Sequence, residues 1–479
     1  SSSNATSLEF MTGASEAAAT KMTLTSGGNL TVTGVGTFAS LDISGDIDVD
    51  GTSNLDIIDV DGAANFAADV TFADGADIIT ASAGTSNVRI GVNAGNSIQS
   101  GGNYNTVVGD EAGTALTTGD SNVLVGMVAG DALTTASDNV AIGQGALTAD
   151  TLGSKTVAIG RQALTTQNFT TATDTYNTAV GYHAGLSVST GVANNIIGGL
   201  AGDALTTGSY NQVMGVAALS VDTQGSRAVA IGHGALGAQN FTTATDNFNI
   251  AIGHNAGLSV TTGTANTLVG GQAGDALTTG YDNVAIGYNA LSSDDVGARS
   301  TAVGREALLS QNFSTSTQSN NVAVGYRAGY GVTTGVANTF IGGHAGDAIT
   351  DSDYNIAIGV NALNSDTLGS RSIAIGYEAL NAQNFTTATV SVNTAVGYGA
   401  GHDITTGTNN TMIGYQTGEK VTDGQYNVGL GDNALPTTTT GDRNISIGRY
   451  AGYGMTTAND NVLIGYASGY ANGQSNQLT

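Results

Sequence analysis

Asn122-Val123-Leu124-Val125-Gly126 is followed seventeen residues later by Asn139-Val140-Ala141-Ile142-Gly143, and the phrase Asn-x-x-(Val/Ile)-Gly-x-x-Ala recurs through most of the chain. The motif glycine stands at 22 positions, from Gly91 through Gly109, Gly126, Gly143 and Gly181 to Gly253, Gly325, Gly397 and Gly465. The spacing is 17 residues except for one step of 18 and four of 21. Seventeen residues cannot hold a pair of helices, and the apolar residues fall in runs of about four beside turn residues, so each period reads as one coil of short strand and turn. Coils stacked at roughly 4.8 Å form parallel sheets and a stack on the order of 100 Å long.

Every 21-residue step follows three of 17, which groups the coils in fours and gives a 72-residue super-repeat running Gly109, Gly181, Gly253, Gly325, Gly397. The extra residues fall around Gln167-Asn168-Phe169 and its three counterparts, so they bring in Phe169, Phe241, Phe313 and Phe385. An insertion at a fixed place in a repeat maps to a loop on one side of the stack. These phenylalanines are expected on lateral ribs, open to secondary contacts.

Val or Ile precedes the glycine in nearly every coil, and Ala or another apolar residue precedes that, as in Ala158-Ile159, Ala251-Ile252 and Ala374-Ile375. Neighbouring strand residues point to opposite faces, so a strand apolar at both is buried on both. One face fills the solenoid. The other, with small alanines permitting close approach of a second backbone, is expected to be covered by a neighbouring copy of the chain.

Asn stands four residues before the glycine in 18 of the 22 coils, among them Asn105, Asn122 and Asn139. Stacked amides are expected to hydrogen-bond from coil to coil as a ladder, a structural role. The four exceptions, Thr156, Ala228, Ser300 and Ser372, each follow a basic residue: Lys155, Arg227, Arg299 and Arg371.

Only 10% of the 479 residues are charged, far below the roughly 25% of ordinary proteins, while Gly supplies 71 residues and Pro one. The 40% of apolar residues, mostly small, can bury a thin core. Cys is absent, so packing and backbone hydrogen bonds must hold the fold. A net charge of −26, from 38 acidic against 12 basic residues, argues against nucleic acid or an anionic membrane as partner. No apolar run reaches the length of a membrane span, and the final residues 472–479 stop in mid-pattern, as in a truncated continuation.

Before residue 85 the motif is missing. Residues 1–27 read as a connecting segment and 28–84 as a β-rich shaft of short strands such as Leu30-Thr31-Val32 and Leu41-Asp42-Ile43, broken by glycines; 85–471 form the solenoid. Asp42, Asp46, Asp48, Asp50, Asp56, Asp59 and Asp61 alternate with apolar residues there and read as a solvated strand face, with calcium binding as the sharper alternative.

No nucleophile elbow, phosphate loop or zinc signature occurs, and the chain is read as a non-enzyme. Asp131, Asp203, Asp275 and Asp347 recur in Gly-Asp-Ala turns; no cofactor is expected, and calcium at these four is the one cation reading they leave open. Asp150, Asp222, Asp294 and Asp366 lie five residues before the four basic residues and read as their ion-pair partners across a turn or between chains. Five histidines, His183, His233, His254, His344 and His402, read as surface decoration. Tyr182, Tyr288, Tyr326, Tyr377, Tyr398, Tyr415 and Tyr466 are expected to stack along the coils, as packing or, alternatively, as a sugar platform. Thr-Thr pairs such as Thr117-Thr118 skip coils and so form no unbroken flat array.

The coils built on Asn-Val-Ala-Ile-Gly resemble the left-handed parallel β-roll of trimeric autotransporter adhesin heads, whose repeats carry a similar phrase on a shorter period. Leu8-Glu9-Phe10-Met11-Thr12-Gly13, then Ala19 to Leu24, then Gly28 to Gly34, is similar instead to tail-fibre segments of marine tailed phages. Together the two resemblances imply an all-β parallel β-solenoid, homotrimeric with parallel chains. The second implies a phage tail-fibre shaft on a virion, meeting other tail proteins at one end and supporting a host-receptor tip at the other. A bacterial surface adhesin head that itself grips host or matrix is the alternative; a polysaccharide-cleaving β-helix enzyme is a weaker third, because its irregular grooved coils have no counterpart here.

Overall fold

The structure, a computed structural model, describes residues 8–12, 19–32 and 83–470. Two compact units divide the chain, Ser1–Asp77 and Ile78–Thr479. In the first, Leu8–Thr12, Ala19–Leu24 and Leu30–Val32 pair in order as an antiparallel meander, with a slip in register between Phe10 and Met11. Two of these strands fall in the stretch read from sequence as a connecting segment. The acidic run at 42–61 and the continuation at 472–479 lie outside the described residues.

The second unit is a parallel β-solenoid, and no helix occurs among the described residues. Its main sheet stacks 22 three-residue strands, from Val88–Ile90 to Val462–Ile464, each pairing in parallel register with the coil before and after. Among the described residues no pairing returns from the last strand to the first, so the ladder is open at both ends. Four two-residue ladders are added at the 21-residue steps, the first joining Gly153–Ser154 to Thr173–Asp174.

Backbone conformation sets the strand length. Five residues before each motif glycine the chain passes through a left-handed residue, with φ between +49° and +64°, and the motif glycine itself has φ between +120° and +144°. Between those two turns only a short strand fits. Outside it, backbone groups continue to bond between coils: the N–H of Gly113 donates to Ala129 O at 2.9 Å in the following coil, and that of Glu111 to Val92 O at 2.9 Å in the preceding one. The motif glycines stack on one another so closely that a Cβ on Gly109 would stand 2.5 Å from the carbonyl oxygen of Gly126. Every step of the stack repeats that contact, which is why the position admits no side chain.

The middle strand residue points inward and its neighbours point out. Ala141, Ala158, Ala251 and Ala374 are fully buried, whereas Ile142, Ile252, Ile286 and Ile341 on the other face are 36–39% exposed. The expectation that alanine lines the outer face is therefore corrected. The interior of one 17-residue coil is too narrow for two large side chains at every level, so the small residue goes in and the branched one faces out.

Alanine three residues after the glycine, as at Ala129 and Ala146, shares that interior with the middle strand residue, Leu124 in the first coil and Ala141 in the second, and one larger side chain fills the rest. Where Leu116 or Leu133 supplies it, the residue three earlier is Gly113 or Gly130, whose Cβ would strike Leu124 at 2.7–2.8 Å. Where the position of Leu116 is instead taken by a polar residue, the glycine is replaced by a buried leucine, as in Leu147 with Asp150 and Leu164 with Gln167. Filling the core thus alternates between two places in the coil.

Gly342 and its neighbour Gly343 provide a controlled test of the glycine column. A Cβ on Gly342, at φ +133°, would lie 2.6 Å from the carbonyl of Gly359, while one on Gly343 meets nothing within 4 Å. Gly342→Ala is expected to lower stability by at least ~1–3 kcal/mol, and Gly343→Ala to leave it within about 0.5 kcal/mol, in denaturant unfolding followed by circular dichroism.

Candidate functional site

The asparagine column is a hydrogen-bonded ladder, broken only at the four insertions. Asn122 donates its Nδ2 to Ala136 O at 3.0 Å in the next coil, and its Oδ1 accepts the backbone N–H of Asn139 at 3.1 Å. The same two bonds recur at Asn105, to Gly119 O at 2.8 Å and from Asn122 N at 2.9 Å. Each amide is buried, and each satisfies one donor and one acceptor of the backbone above it.

From Asn105 to Asn444 the Nδ2 acceptor is the carbonyl fourteen residues on, and that explains the exceptions. From residue 156, fourteen residues on is Thr170, an exposed residue of the insertion. An asparagine at 156 would have nothing to donate to. Instead a buried cluster bridges the gap. Asp150 Oδ1 accepts the N–H groups of Gly153 and Phe169 at 3.0 and 3.1 Å, and its Oδ2 accepts Gln167 Nε2 at 2.6 Å. Gln167 Oε1 in turn accepts Asn177 Nδ2 at 2.8 Å, so the ladder resumes at Asn177. Thr156 and Thr175 close the cluster, their hydroxyl oxygens 2.7 Å apart.

The arrangement recurs at Asp222 with Gln239, Asp294 with Gln311 and Asp366 with Gln383, all fully buried. Where Thr156 and Thr175 stand in the first, Ser300 with Ser319 and Ser372 with Ser391 keep the hydroxyl pair, and Ala228 meets Asn247. Burial raises the carboxyl pKa of Asp150, Asp294 and Asp366 against the lowering effect of their donors.

Two sequence expectations are corrected by this cluster. The four aspartates do not pair with the neighbouring basic residues: Lys155 bonds Asp174 at 2.6 Å, Arg227 lies 3.0 Å from Asp246, Arg299 lies 3.7 Å from Asp282, and the Arg371 guanidinium sits 5.8 Å above the Tyr354 ring. Asp150 and its equivalents turn inward because the backbone N–H groups freed by the insertion need an acceptor. Phe169, Phe241, Phe313 and Phe385 do not project from ribs. At 5–7% exposure they fold back against the coil below, Phe385 packing onto Gly369, and the short polar stretch after them, such as Thr170-Thr171-Ala172 or Ser314-Thr315-Ser316, stays outside.

Asp131, Asp203, Asp275 and Asp347 sit half-buried on a turn, each with its Oδ1 enclosed and without a hydrogen-bond partner. Burial raises the pKa of the first three. Asp347 has Arg327 at 3.6 Å and His344 at 3.1 Å. No three carboxylate or imidazole groups converge on a common point among the described residues. The histidines are likewise dispersed: His233 stacks on His254 at 5.3 Å, His183 bonds Gln162 at 2.8 Å and His402 bonds Asp403 at 2.6 Å. The first threonine of each pair spends its hydroxyl on the next coil, as Thr117 on Thr134 O at 3.1 Å and Thr206 on Thr223 O at 2.8 Å.

The tyrosines after the glycine form short runs. Tyr377, Tyr398 and Tyr415 stack at 5.0 and 5.4 Å with planes 15–17° apart, and Arg305 lies between Tyr288 and Tyr326, 5.8 and 6.0 Å from their rings. Within the run of three the facing ring surfaces cover one another, and each tyrosine stays 42–50% exposed. Tyr466 joins Tyr450, Tyr453 and Tyr470 around a cavity of about 340 Å³.

A second set of aromatics, in six of the 22 coils and never in two successive ones, was not anticipated. It occupies the left-handed position just before the asparagine: Tyr104, Tyr176, Tyr210, Phe248, Tyr354 and Tyr426, all 54–63% exposed at φ +51° to +63°. Left-handed backbone costs a side chain with Cβ roughly 1–2 kcal/mol and is the ordinary place for Gly or Asn, yet in no coil is this residue glycine. Arg227 lies over both Tyr210 and Phe248, at 5.2 and 5.9 Å. The signal was present in the sequence, in the residue before each asparagine.

No protein-family model, curated protein or solved structure matches the chain.

The buried carboxyls give a signed pH dependence. An unfolded aspartate titrates near ~3.9, while Asp150, Asp294 and Asp366 hold their protons to higher pH when folded. Above ~3.9 the folded state then binds more protons than the unfolded one, so this contribution falls as pH rises toward the folded values. Replacing all three with Leu is expected to flatten the slope of unfolding free energy between pH 4 and 7. The same variant loses acceptors for buried N–H groups and should be destabilised throughout by ~1–3 kcal/mol per orphaned donor. Calcium or a chelator is expected to leave the melting temperature of the unaltered chain unchanged, since each Gly-Asp-Ala aspartate stands without converging ligands.

Proposed function

We propose that the chain is a structural, non-catalytic fibre shaft of a phage tail, assembled from three parallel copies, which carries or supports a receptor-binding tip on the virion. The observation that carries this reading is the outward face of the main sheet. Val, Ile and Thr on both sides of the buried strand residue, interrupted at Asn195, Gln212, Met214 and Leu430, form a strip along the coils, with no described element of the second unit over it. At a rise of roughly 4.8 Å per coil and a width of about 10 Å, the strip offers on the order of 1,000 Å². A standard stable interface uses about 800 Å² per partner, so the strip alone suffices for specific association with another copy.

The sequence resemblances supply the rest: phage tail-fibre character in the opening segment and adhesin-head character in the coils. The 72-residue grouping spaces the four buried clusters evenly along the shaft. Uniform coils without a groove of acidic and basic groups suit a load-bearing and spacing role. The expected outcome in sedimentation velocity is a trimer without folded monomer, and electron microscopy of the native particle is expected to show the shaft on a virion. A stable folded monomer, or decoration of a bacterial cell surface instead, would replace this reading.

A further inference from the structure

The strip of Val and Ile is bordered on both sides by aromatic residues. Two residues before the strand stand Tyr210, Phe248 and Tyr354 in their coils; two residues after its end stand Tyr288, Tyr377 and Tyr398 in others. Both sets are about half exposed, and both carry interleaved arginines, Arg227 in the first and Arg305 in the second. Tyrosine, phenylalanine and arginine are the types enriched at the buried centres of interfaces.

Resting on the trimeric reading, we infer that the two columns meet each other between chains: the column before the asparagine on one copy packs against the column after the glycine on the next. Three observations lead there. The columns flank the strip at opposite ends of the same strands, so two strips turned toward a common axis bring unlike edges together, one from each chain. A contact between unlike surfaces closes into a ring of rotated copies, whereas a contact between like surfaces stops at two. The first column also holds bulky aromatics in a left-handed conformation that Asn or Gly would adopt more easily, without burying them in their own chain. Their own chain gives them surface cation–π contacts, Arg227 on Tyr210 and Phe248 and Arg371 on Tyr354, and leaves more than half of each residue open to a contact made elsewhere.

The test uses the full chain and two readouts. Photo-oxidative dityrosine coupling followed by peptide mass spectrometry is expected to yield links between the columns at the same or an adjacent level, such as Tyr354 to Tyr377, Tyr426 to Tyr415 and Tyr176 to Tyr182, which the length of a strand keeps apart within one copy. Replacing Tyr104, Tyr176, Tyr210, Phe248, Tyr354 and Tyr426 with Asn is expected to leave folding intact, because Asn suits the conformation, while weakening association at least tenfold in sedimentation. An oligomer that yields only links within a column, or whose association is unchanged in the Asn variant, overturns this inference and leaves the trimeric reading standing. A monomeric unaltered chain overturns both.

Discussion

Contact between stacked glycines governs the second unit. With a Cβ excluded at 2.5 Å from the next carbonyl and the backbone turned through a positive φ, each coil must lie directly on its predecessor. Every side chain consequently has an equivalent roughly 4.8 Å above and below it. Residues that gain from a like neighbour prosper under that rule: asparagine bonds to asparagine, tyrosine stacks on tyrosine, alanine fills against alanine. Charged residues do not, since like charges at that distance repel. The low charge content follows, and where charges do occur in one column they alternate in sign, as Asp432 with Arg449, Lys420 with Asp403 and Arg443 with Asp460.

The same rule limits the core. A coil of 17 residues encloses one layer of side chains, filled for example by two alanines and a leucine, as with Ala141, Ala146 and Leu147, or by one alanine and two larger residues beside a glycine, as with Leu124, Ala129 and Leu133. Gly130 with Leu133 and Leu147 with Asp150 are two solutions to that volume. The second puts a leucine at φ +54°, a conformation that costs it roughly 1–2 kcal/mol, and releases an inward position for a polar group. That position is then available to receive the N–H groups displaced by the four inserted residues. Insertion, buried aspartate, glutamine and left-handed leucine are thus one device distributed over two coils.

Much of this was legible in the sequence. The period, the short parallel strands and the asparagine ladder are local and repeated 22 or 18 times, so any one coil predicts the others. The orientation of Ala158 and Ile159 was not, because alternation fixes only that they face opposite ways; the narrowness of the interior decides which goes in. Asp150 looked like a partner for Lys155 since both are polar and five residues apart, while its actual partner, Gln167, is a whole coil away. A signal was available: the inward position reads Leu116, Leu133, Asp150, Gln167, and the residue three before it changes in step from Gly to Leu. Phe169 was misplaced for a related reason, because an insertion is visible in sequence but the direction in which its side chain folds depends on the acceptor supplied by Asp150.

Near-identical coils carry a hazard of their own. With glycine, asparagine and Val/Ile the same at almost every level, a stack displaced by one coil would keep most of its hydrogen bonds and its core. The buried clusters remove that degeneracy. Shift the chain by one coil and Asp150 would face an apolar side chain in place of Gln167, with the N–H groups of Gly153 and Phe169 and the amide of Gln167 competing for acceptors that are no longer there. An unpaired buried carboxylate is costly on any scale, and each orphaned donor adds ~1–3 kcal/mol. A uniform apolar column would pack equally well in every register; the polar interruption makes one register much better than its neighbours, in the way a single buried polar side chain fixes the alignment of a coiled coil. In a solenoid of near-identical coils, correct stacking depends on that discrimination.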